Sequence, residues 1–404
     1  MLKNFTPYIY IVAFILFIAA CAEEENPKFD KDNFTSIFDS NGFDSAYYPI
    51  DIKQTVDEGY LVLAKRKLEG EFAGVYILKA NKFGNFESQI NVDPQLVNPI
   101  GTLMPLGENF YFFCMDVASK EARLVSINQS GSIVGTVNVT YTYPCASAPS
   151  KDNKFVLLSY NNGDKRTVIS TIDPATGAGP NSSFRLGVGG EDKIEEDILK
   201  HFFQYGRKFP FFVGQLSGDT YYFNGFYDYT LSLVFTRMGA SDQFTGIIQG
   251  QHEDGGFSAA LPLSGNRFAA SVFNFGDNYI LPNKTLETTS NAPGGITGLG
   301  GFTLPELVSN ANVRNTQATV KEKSVIIFAG DTKAKQIGLW FYDEASNSLM
   351  SSRYFGFSNP FEIGNVSTTL DGGLVICGTT YMAGRFPRIC IFKISKQEFE
   401  NQVK

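Results

Sequence analysis

The sequence predicts an all-β fold, a β-propeller of about seven four-stranded blades with short helical insertions. Three observations lead there. A hairpin repeats at both ends of the chain, a degenerate strand motif recurs between them, and the composition suits short strands. The hairpin reads Gln54-Thr55-Val56-Asp57-Glu58-Gly59-Tyr60-Leu61-Val62-Leu63-Ala64 near one end. Near the other it reads Thr368-Thr369-Leu370-Asp371-Gly372-Gly373-Leu374-Val375-Ile376-Cys377-Gly378. Lys79 follows Asp57 by 22 positions, and Lys393 follows Asp371 by the same 22. Two hairpins of one design are a repeat signature.

Between them the strand recurs as Phe110-Tyr111-Phe112-Phe113, Phe155-Val156-Leu157-Leu158, Tyr221-Tyr222-Phe223, Phe268-Ala269-Ala270 and Val325-Ile326-Ile327-Phe328. With Tyr60 and Leu374 these make seven anchors, spaced 50, 45, 66, 47, 57 and 49 residues apart. One blade of four short strands needs about 40 to 50 residues. Six or eight blades would also satisfy so degenerate a repeat. Polar turns such as Ile127-Asn128-Gln129-Ser130-Gly131 suit hairpins whose last residue needs a positive φ. The 37 Phe, 19 Tyr and 39 Gly favour many short strands over helices.

In chain order, residues 1–20 form a signal segment with Lys3 in its positive start and an apolar run from Tyr8 to Ala20. That run is shorter than the ~20 residues a membrane-spanning helix needs. Ile18-Ala19-Ala20-Cys21 resembles the lipobox of bacterial lipoproteins. The resemblance implies a diacylglycerol on Cys21, cleavage before it, and a membrane contact made through that lipid anchor. A secretory signal with an incidental cysteine is the plainer alternative. Ala22 stands where the family's inner-membrane retention signal has Asp, which implies the outer membrane. Glu23-Glu24-Glu25-Asn26 resembles the surface-export signal of Bacteroidota lipoproteins, although a plain solvated tether reads the same way. Residues 21–41 are thus expected to be the acylated cysteine and a polar tether, and residues 42–404 a single propeller domain. The chain as a whole resembles the Asp-Gly-Gly-containing propeller-like lipoproteins of Bacteroidota, closely at its two ends and weakly in the middle.

Two intervals break the blade rhythm. Ile194, Ile198 and Phe202 recur every four residues within 190–203, which predicts an inserted amphipathic helix. Thr303 and Glu306, with Pro305 between them, read as a capping box and predict a second helix start. Both insertions are expected at a rim of the propeller, where function usually sits.

Little in the chain marks a reaction. Its two histidines, His201 and His252, have no partner pattern, the first beside the apolar stripe of the helix and the second in a polar turn. No catalytic, cofactor-binding or metal-binding residue is singled out, and no phosphate loop, nucleophile elbow or zinc motif is present. Net charge is −7, which draws the protein to neither nucleic acid nor acidic lipid. A turn near Ala383-Gly384 would set Cys377 opposite Cys390, and an oxidising compartment would permit a bridge between them. Buried free thiols are the alternative. The aromatic surplus fills the blade packing, or else places stacking faces for sugars at Gln204-Tyr205 or Asn224-Gly225-Phe226-Tyr227-Asp228-Tyr229.

The functional expectation is a lipid-anchored outer-membrane or cell-surface propeller, a non-enzymatic binding or assembly module for a protein or glycan at its rim. The alternatives are a glycan-active hydrolase or lyase, or an accessory subunit of a nutrient-uptake or secretion complex. Ring closure is expected to bring Tyr47 to Ile52 against the blade containing Leu374 to Ile394.

Overall fold

All seven sequence anchors fall at or near the start of the second strand of a blade, which is why their spacing followed the blade repeat. In the computed structural model the described residues are 32–39, 45–187, 194–356 and 358–403. The signal segment, Cys21, the acidic run and the residues just before Ile194 lie outside them.

The first strand, β1, is Phe34–Phe38. Blade 1 is β2 (Tyr47–Gln54), β3 (Tyr60–Arg66), β4 (Gly74–Ala80) and β5 (Phe86–Asn91). Blade 2 is β6 (Leu96–Leu106), β7 (Asn109–Asp116), β8 (Glu121–Ile127) and β9 (Ile133–Thr142). Blade 3 is β10 (Pro144–Pro149), β11 (Phe155–Asn161), β12 (Arg166–Ile172) and β13 (Asn181–Arg185). Blade 4 is β14 (Phe212–Ser217), β15 (Thr220–Tyr227), β16 (Thr230–Arg237) and β17 (Gly246–Ile248). Blade 5 is β18 (Gly255–Pro262), β19 (Arg267–Asn274), β20 (Asp277–Thr285) and β21 (Phe302–Thr303). Blade 6 is β22 (Arg314–Val320), β23 (Lys323–Asp331), β24 (Ile337–Asp343) and β25 (Leu349–Phe355). Blade 7 is β26 (Phe361–Thr368), β27 (Leu374–Thr380) and β28 (Arg388–Ile394), and β1 completes it.

Five blades are separate four-stranded sheets, while blades 1 and 2 are joined at Gly74 and Val97 into one eight-stranded sheet. The first strand of each blade lines the axis, and the apolar core is divided among the spaces between neighbouring blades. Phe155, Phe223, Phe235, Phe257 and Phe268 are buried in those spaces, so much of the aromatic surplus is packing.

Closure differs in one respect from the expectation. Tyr47 and Ile52 do pack against Val375, Cys377, Ile389 and Ile391 of blade 7. The strand lent to blade 7, however, is β1, which pairs antiparallel with β28 from Phe34↔Lys393 to Phe38↔Ile389. The propeller therefore begins inside the stretch 21–41 assigned to a tether. Phe34 and Phe38 face inward onto the blade 1–blade 7 core between solvent-facing residues, a period of two that the surrounding polar residues hid. Behind β1, the wholly buried Arg388 donates to Asp39 Oδ1 at 2.8 Å and to the Ser45 carbonyl at 2.7 Å.

The repeated hairpins share their lysine–aspartate and threonine–aspartate contacts. Lys79 Nζ donates to Asp57 Oδ1 at 2.8 Å, and Lys393 Nζ to Asp371 Oδ2 at 2.8 Å. Thr55 and Thr369 each donate a hydroxyl to the same carboxylates. The Asp-Gly-Gly order has two separate causes. Gly372 stands at φ 81°, in the left-handed region. Gly373 gives the lysine room, since a Cβ there would lie 2.5 Å from Lys393 Nζ.

The disulfide expectation fails by one residue of register. Leu374 pairs with Ile394, so Cys377 faces Ile391 and Cys390 faces Gly378. A slip of one places neighbouring strand residues on opposite faces. Cys377 accordingly packs in the core between blades 7 and 1, and Cys390 in the core between blades 6 and 7. Both are free buried thiols, and burial pushes both pKa values up.

Helix α1 (Ile194–Phe202) forms as the periodicity predicts, burying Ile194, Ile198 and Phe202. Its first turn carries Glu195, Glu196 and Asp197 and its last carries Lys200 and His201, matching the helix dipole. The Thr303–Glu306 capping box is not a helix start. Thr303 belongs to β21, and Glu306 instead accepts from Trp340 Nε1 and from the Tyr354 hydroxyl, each at 2.7 Å. A single 3-10 turn, Gly295–Gly298, is the helical element of that insertion. The helix that sequence reasoning missed is α2 (Lys396–Gln402), whose N-cap Ser395 accepts from Glu398 N–H at 3.3 Å.

Candidate functional site: a half-roofed channel mouth

The connection from blade 3 to blade 4 is the long insertion carrying α1, and it crosses the face where the axial strands begin. Its apolar side packs on Val97 and Met115 of blade 2, Tyr160 of blade 3, Phe226 of blade 4 and Phe273 of blade 5. Asn98 Nδ2 donates to the Phe202 carbonyl at 2.8 Å. Arg207 pairs with Glu253 at 3.0 Å in the connection that leads into blade 5. On the far side Gln204 Nε2 donates to the carbonyls of Leu68, Gly70 and Phe72 in blade 1, at 3.0, 2.9 and 3.0 Å. The Gln204 amide N–H adds a bond to Glu71 O at 2.7 Å. An insertion from blade 3 is thereby fastened to blade 1 across the ring, roofing one half of the mouth.

His201 serves this roof. Its Nδ1 accepts the Phe209 amide N–H at 2.9 Å, and its ring lies among Phe202, Phe209 and Phe211. Burial, then the nearby Lys65 and Lys208 charges, holds its pKa well below the usual histidine value, so it is neutral. His252 occupies a turn at φ 43° between blades 4 and 5. Among the described residues no group of three or more His, Cys, Asp or Glu side chains is placed to hold a metal ion.

The other half of the mouth is bounded by blades 6, 7 and 1. Tyr48 is the second residue of the axial strand of blade 1, cross-strand from Lys65, and Glu362 the second of that of blade 7. Arg314 is the first residue of the axial strand of blade 6, and Asp331 ends the strand beside it. The groups act on one another in sequence around the rim. Tyr381 donates its hydroxyl to Glu362 Oε2 at 2.7 Å. Asp331 accepts the Ile363 amide N–H at 2.6 Å. Burial, then the Glu362 charge, pushes the Asp331 carboxyl up to about 6 in spite of that bond and of Arg314. Lys65 is half-buried, and burial followed by the Arg314 charge pulls its ammonium down to about 8.

Tyr205 stands at the edge of the roof, 81% exposed, directly after the anchored Gln204. The Lys67 ammonium lies 5.5 Å from its ring centre. Of the two stacking candidates in the sequence, Gln204-Tyr205 is thus brought to the mouth. In the other, Phe226 and Tyr227 are buried in the core. A second concavity, of about 410 Å³, lies on the outer wall between β1 and β5, lined by Phe38, Tyr47, Tyr76 and Phe86 among others.

Tyr48, Lys65, Lys67, Arg314, Asp331, Glu362 and Tyr381 escaped sequence reasoning, yet a signal was present. Tyr48 and Glu362 are 314 residues apart, as are Lys67 and Tyr381, and this is the offset that relates Asp57 to Asp371. The mouth is built where two otherwise matching blades stop matching.

No family model matches the chain, and none of the curated proteins matches it. Among solved structures, prolyl oligopeptidase B from Galerina marginata is similar over 92% of this chain and 50% of its own, at 9% identity and TM-score 0.49. The chain thus spans about half the length of that protein. The β-propeller domain of the Trilobed protease from Pyrococcus furiosus is similar over 87% of this chain and 98% of its own, at 10% identity and TM-score 0.46. The Dos1 propeller is similar over 88% and 94%, at 11% identity and TM-score 0.44. These likenesses concern the propeller fold alone, which the seven blades already establish.

Proposed function

We propose that this chain is a lipid-anchored propeller of the outer membrane or cell surface that binds a glycan at the half-roofed mouth, as a non-enzymatic module. One observation carries the binding reading. The roof presents Tyr205 on a backbone fixed by four hydrogen bonds from Gln204, near the rim residue Tyr48, which in turn lies near Tyr381. Rigid aromatic faces beside carboxylates and amines are the chemistry that stacks on sugar rings and bonds their hydroxyls. The anchor rests on Ile18-Ala19-Ala20-Cys21.

Two measurements test the two halves. Binding of the full chain to an oligosaccharide panel should be lost in Tyr205→Ala with the melting temperature unchanged; equal binding by the variant removes the mouth from the reading. Labelling with a palmitate analogue should mark the wild type and not Cys21→Ala, and equal labelling of both removes the anchor.

A glycan-active hydrolase is the second reading, favoured by Asp331 beside Glu362. An acid with a raised pKa next to a carboxylate is the pair that glycosidic cleavage uses. On that reading Asp331→Asn keeps binding and abolishes release of reducing ends. If wild type releases none from any glycan it binds, this second reading falls.

A further inference from the structure

Buried cations in this fold are matched to carboxylates. Lys79 and Lys393 have side chains 4% exposed, and each is ion-paired, to Asp57 and Asp371. The wholly buried Arg388 is paired to Asp39. The mouth gathers cations without such partners: the half-buried Lys65 and Arg314 reach it from β3 and β22, and the exposed Lys208 from the roof. Among the described residues no carboxylate lies within ion-pair distance of any of the three.

Their donors are also incompletely used. Arg314 gives Nε to the Gly364 carbonyl and Nη1 to Asn312, each at 3.0 Å, which leaves Nη2 available. Lys208 holds the His201 and Phe203 carbonyls, and an ammonium has a third donor. Lys65 has no hydrogen-bond partner among the described residues. The nearest carboxylates act on Arg314 through space and are engaged elsewhere. Asp51 accepts from the Ile52 and Leu103 amides and from Asn365, and Asp331 accepts from the Ile363 amide. Gly364, whose carbonyl accepts from Arg314, abuts the Pro49 carbonyl beside Tyr48, the strand partner of Lys65. The Arg314 charge acts on Lys65 and the Lys65 charge on Lys208, and an anion among them removes that repulsion.

We infer that the ligand is an acidic glycan, whose carboxylate or sulfate is received by Lys65, Lys208 and Arg314 while a sugar ring stacks on Tyr205. This deepens the glycan reading and rests on it. The net charge of −7 opposes long-range attraction of a polyanion, so recognition is short-range, at the mouth itself.

Calorimetric titration of the full chain with hexagalacturonate, a sulfated heparin hexasaccharide and maltohexaose tests the inference. At least one acidic probe should bind about tenfold or more tightly than maltohexaose, and the preferred probe tells carboxylate from sulfate. Lys65→Met should lose that preference, affinity for the acidic probe falling by a larger factor than affinity for maltohexaose, a charge-selective loss that a merely structural lysine would not produce. If Lys65→Met fails to fold, Lys208→Met, on the exposed roof, gives the same reading. Equal affinity for neutral and acidic probes overturns the acidic ligand and leaves the glycan reading standing. Failure of all three probes to bind overturns both.

Discussion

Blades 1 and 7 meet at the seam of the ring, and blades 2 to 6 fill the span between them; the two groups solve one problem differently. At the seam the hairpin is held by a lysine laid across an aspartate turn, with Lys–Asp distances of 2.8 Å in both blades. In blade 2 the residue matching Lys79 is Ser126, and in blade 3 it is Thr171, judged by the strand partners of Phe110 and Phe155. There the hairpins carry no lysine–aspartate clamp: Gln129 holds the Glu108 carbonyl in blade 2, Gln215 accepts from Ser150 and Lys151 in blade 3, and apolar packing does the rest. Apolar packing tolerates many sequences. A buried ammonium with one carboxylate partner tolerates very few. The contrast teaches where a repeat stays readable: where charge geometry, not packing, specifies the residue.

The largest effect should come from removing β1. Deleting residues 32–39 strips Phe34 from Tyr60, leaves the β28 edge unpaired and takes Asp39 from the buried Arg388. Breaking a buried ion pair by removing one partner costs about 3–5 kcal/mol. The deletion should abolish a single cooperative melt. The equivalent outer strand of a middle blade, β21, has two exposed residues, and Thr303→Ser there should shift stability by less than about 0.5 kcal/mol. A deletion variant that still melts cooperatively near the wild-type temperature would break the comparison at its root.

Next in size is Gly373→Ala. The added Cβ would lie 2.3 Å from the Ile394 carbonyl and 2.5 Å from Lys393 Nζ, so backbone and clamp cannot both stay. A loss of about 2–4 kcal/mol in denaturant unfolding is expected. Gly265 in blade 5 meets nothing within 4 Å but holds φ 67°, so Gly265→Ala should lose only about 1 kcal/mol.

The clamp itself follows. Burial would raise the Asp57 carboxyl, but hydrogen bonds from Lys79, Thr55 and the Gly59 amide overcome it and bring the pKa down to about 2. A depressed carboxylate stabilises fully above its unfolded pKa, near 4, and that share is lost as pH falls toward 2. Asp371 is shifted the same way. Both carboxylates are about half exposed, so solvent screening limits each contribution to about 1 kcal/mol or less. Wild type should therefore lose stability between about pH 4 and 2 more steeply than Asp57→Ala or Asp371→Ala. Parallel curves would remove the clamp from the account.

Legibility followed the same division. The blade rhythm, the inserted helix and the seam were readable, because each leaves a period or a repeated charge pair. The strand β1 was not, since five residues of half-exposed alternation look like a tether until β28 supplies a partner. Nor was Cys390, whose face depends on a hairpin register that shifts with one turn residue. The mouth was invisible for a deeper reason. Lys65, Arg314, Asp331 and Glu362 come from three blades, and only ring closure makes them neighbours.

The smallest expected effect sharpens the comparison inside the seam itself. Blades 1 and 7 share every residue of the clamp but differ in the turn, where Gly372 of blade 7 is matched by Glu58. Glu58 holds φ 65°, close to the 81° of Gly372, so blade 1 bears a left-handed strain that blade 7 avoids. The Glu58 carboxylate reaches Lys82 at 3.0 Å, but both side chains are half exposed or more, and such a pair contributes little. Comparing Glu58→Gly with Glu58→Ala removes that pair in both variants and isolates the backbone. Glycine relieves a strain of about 1–2 kcal/mol and gives back part of it through its looser unfolded chain. Glu58→Gly should therefore be the more stable by about 1 kcal/mol, with Gly372→Ala less stable than wild type by a similar amount. If alanine matched glycine at both positions, the second residue of the turn would carry no backbone strain. The Asp-Gly-Gly order would then need only the close approach of the lysine at Gly59 and Gly373 to explain it.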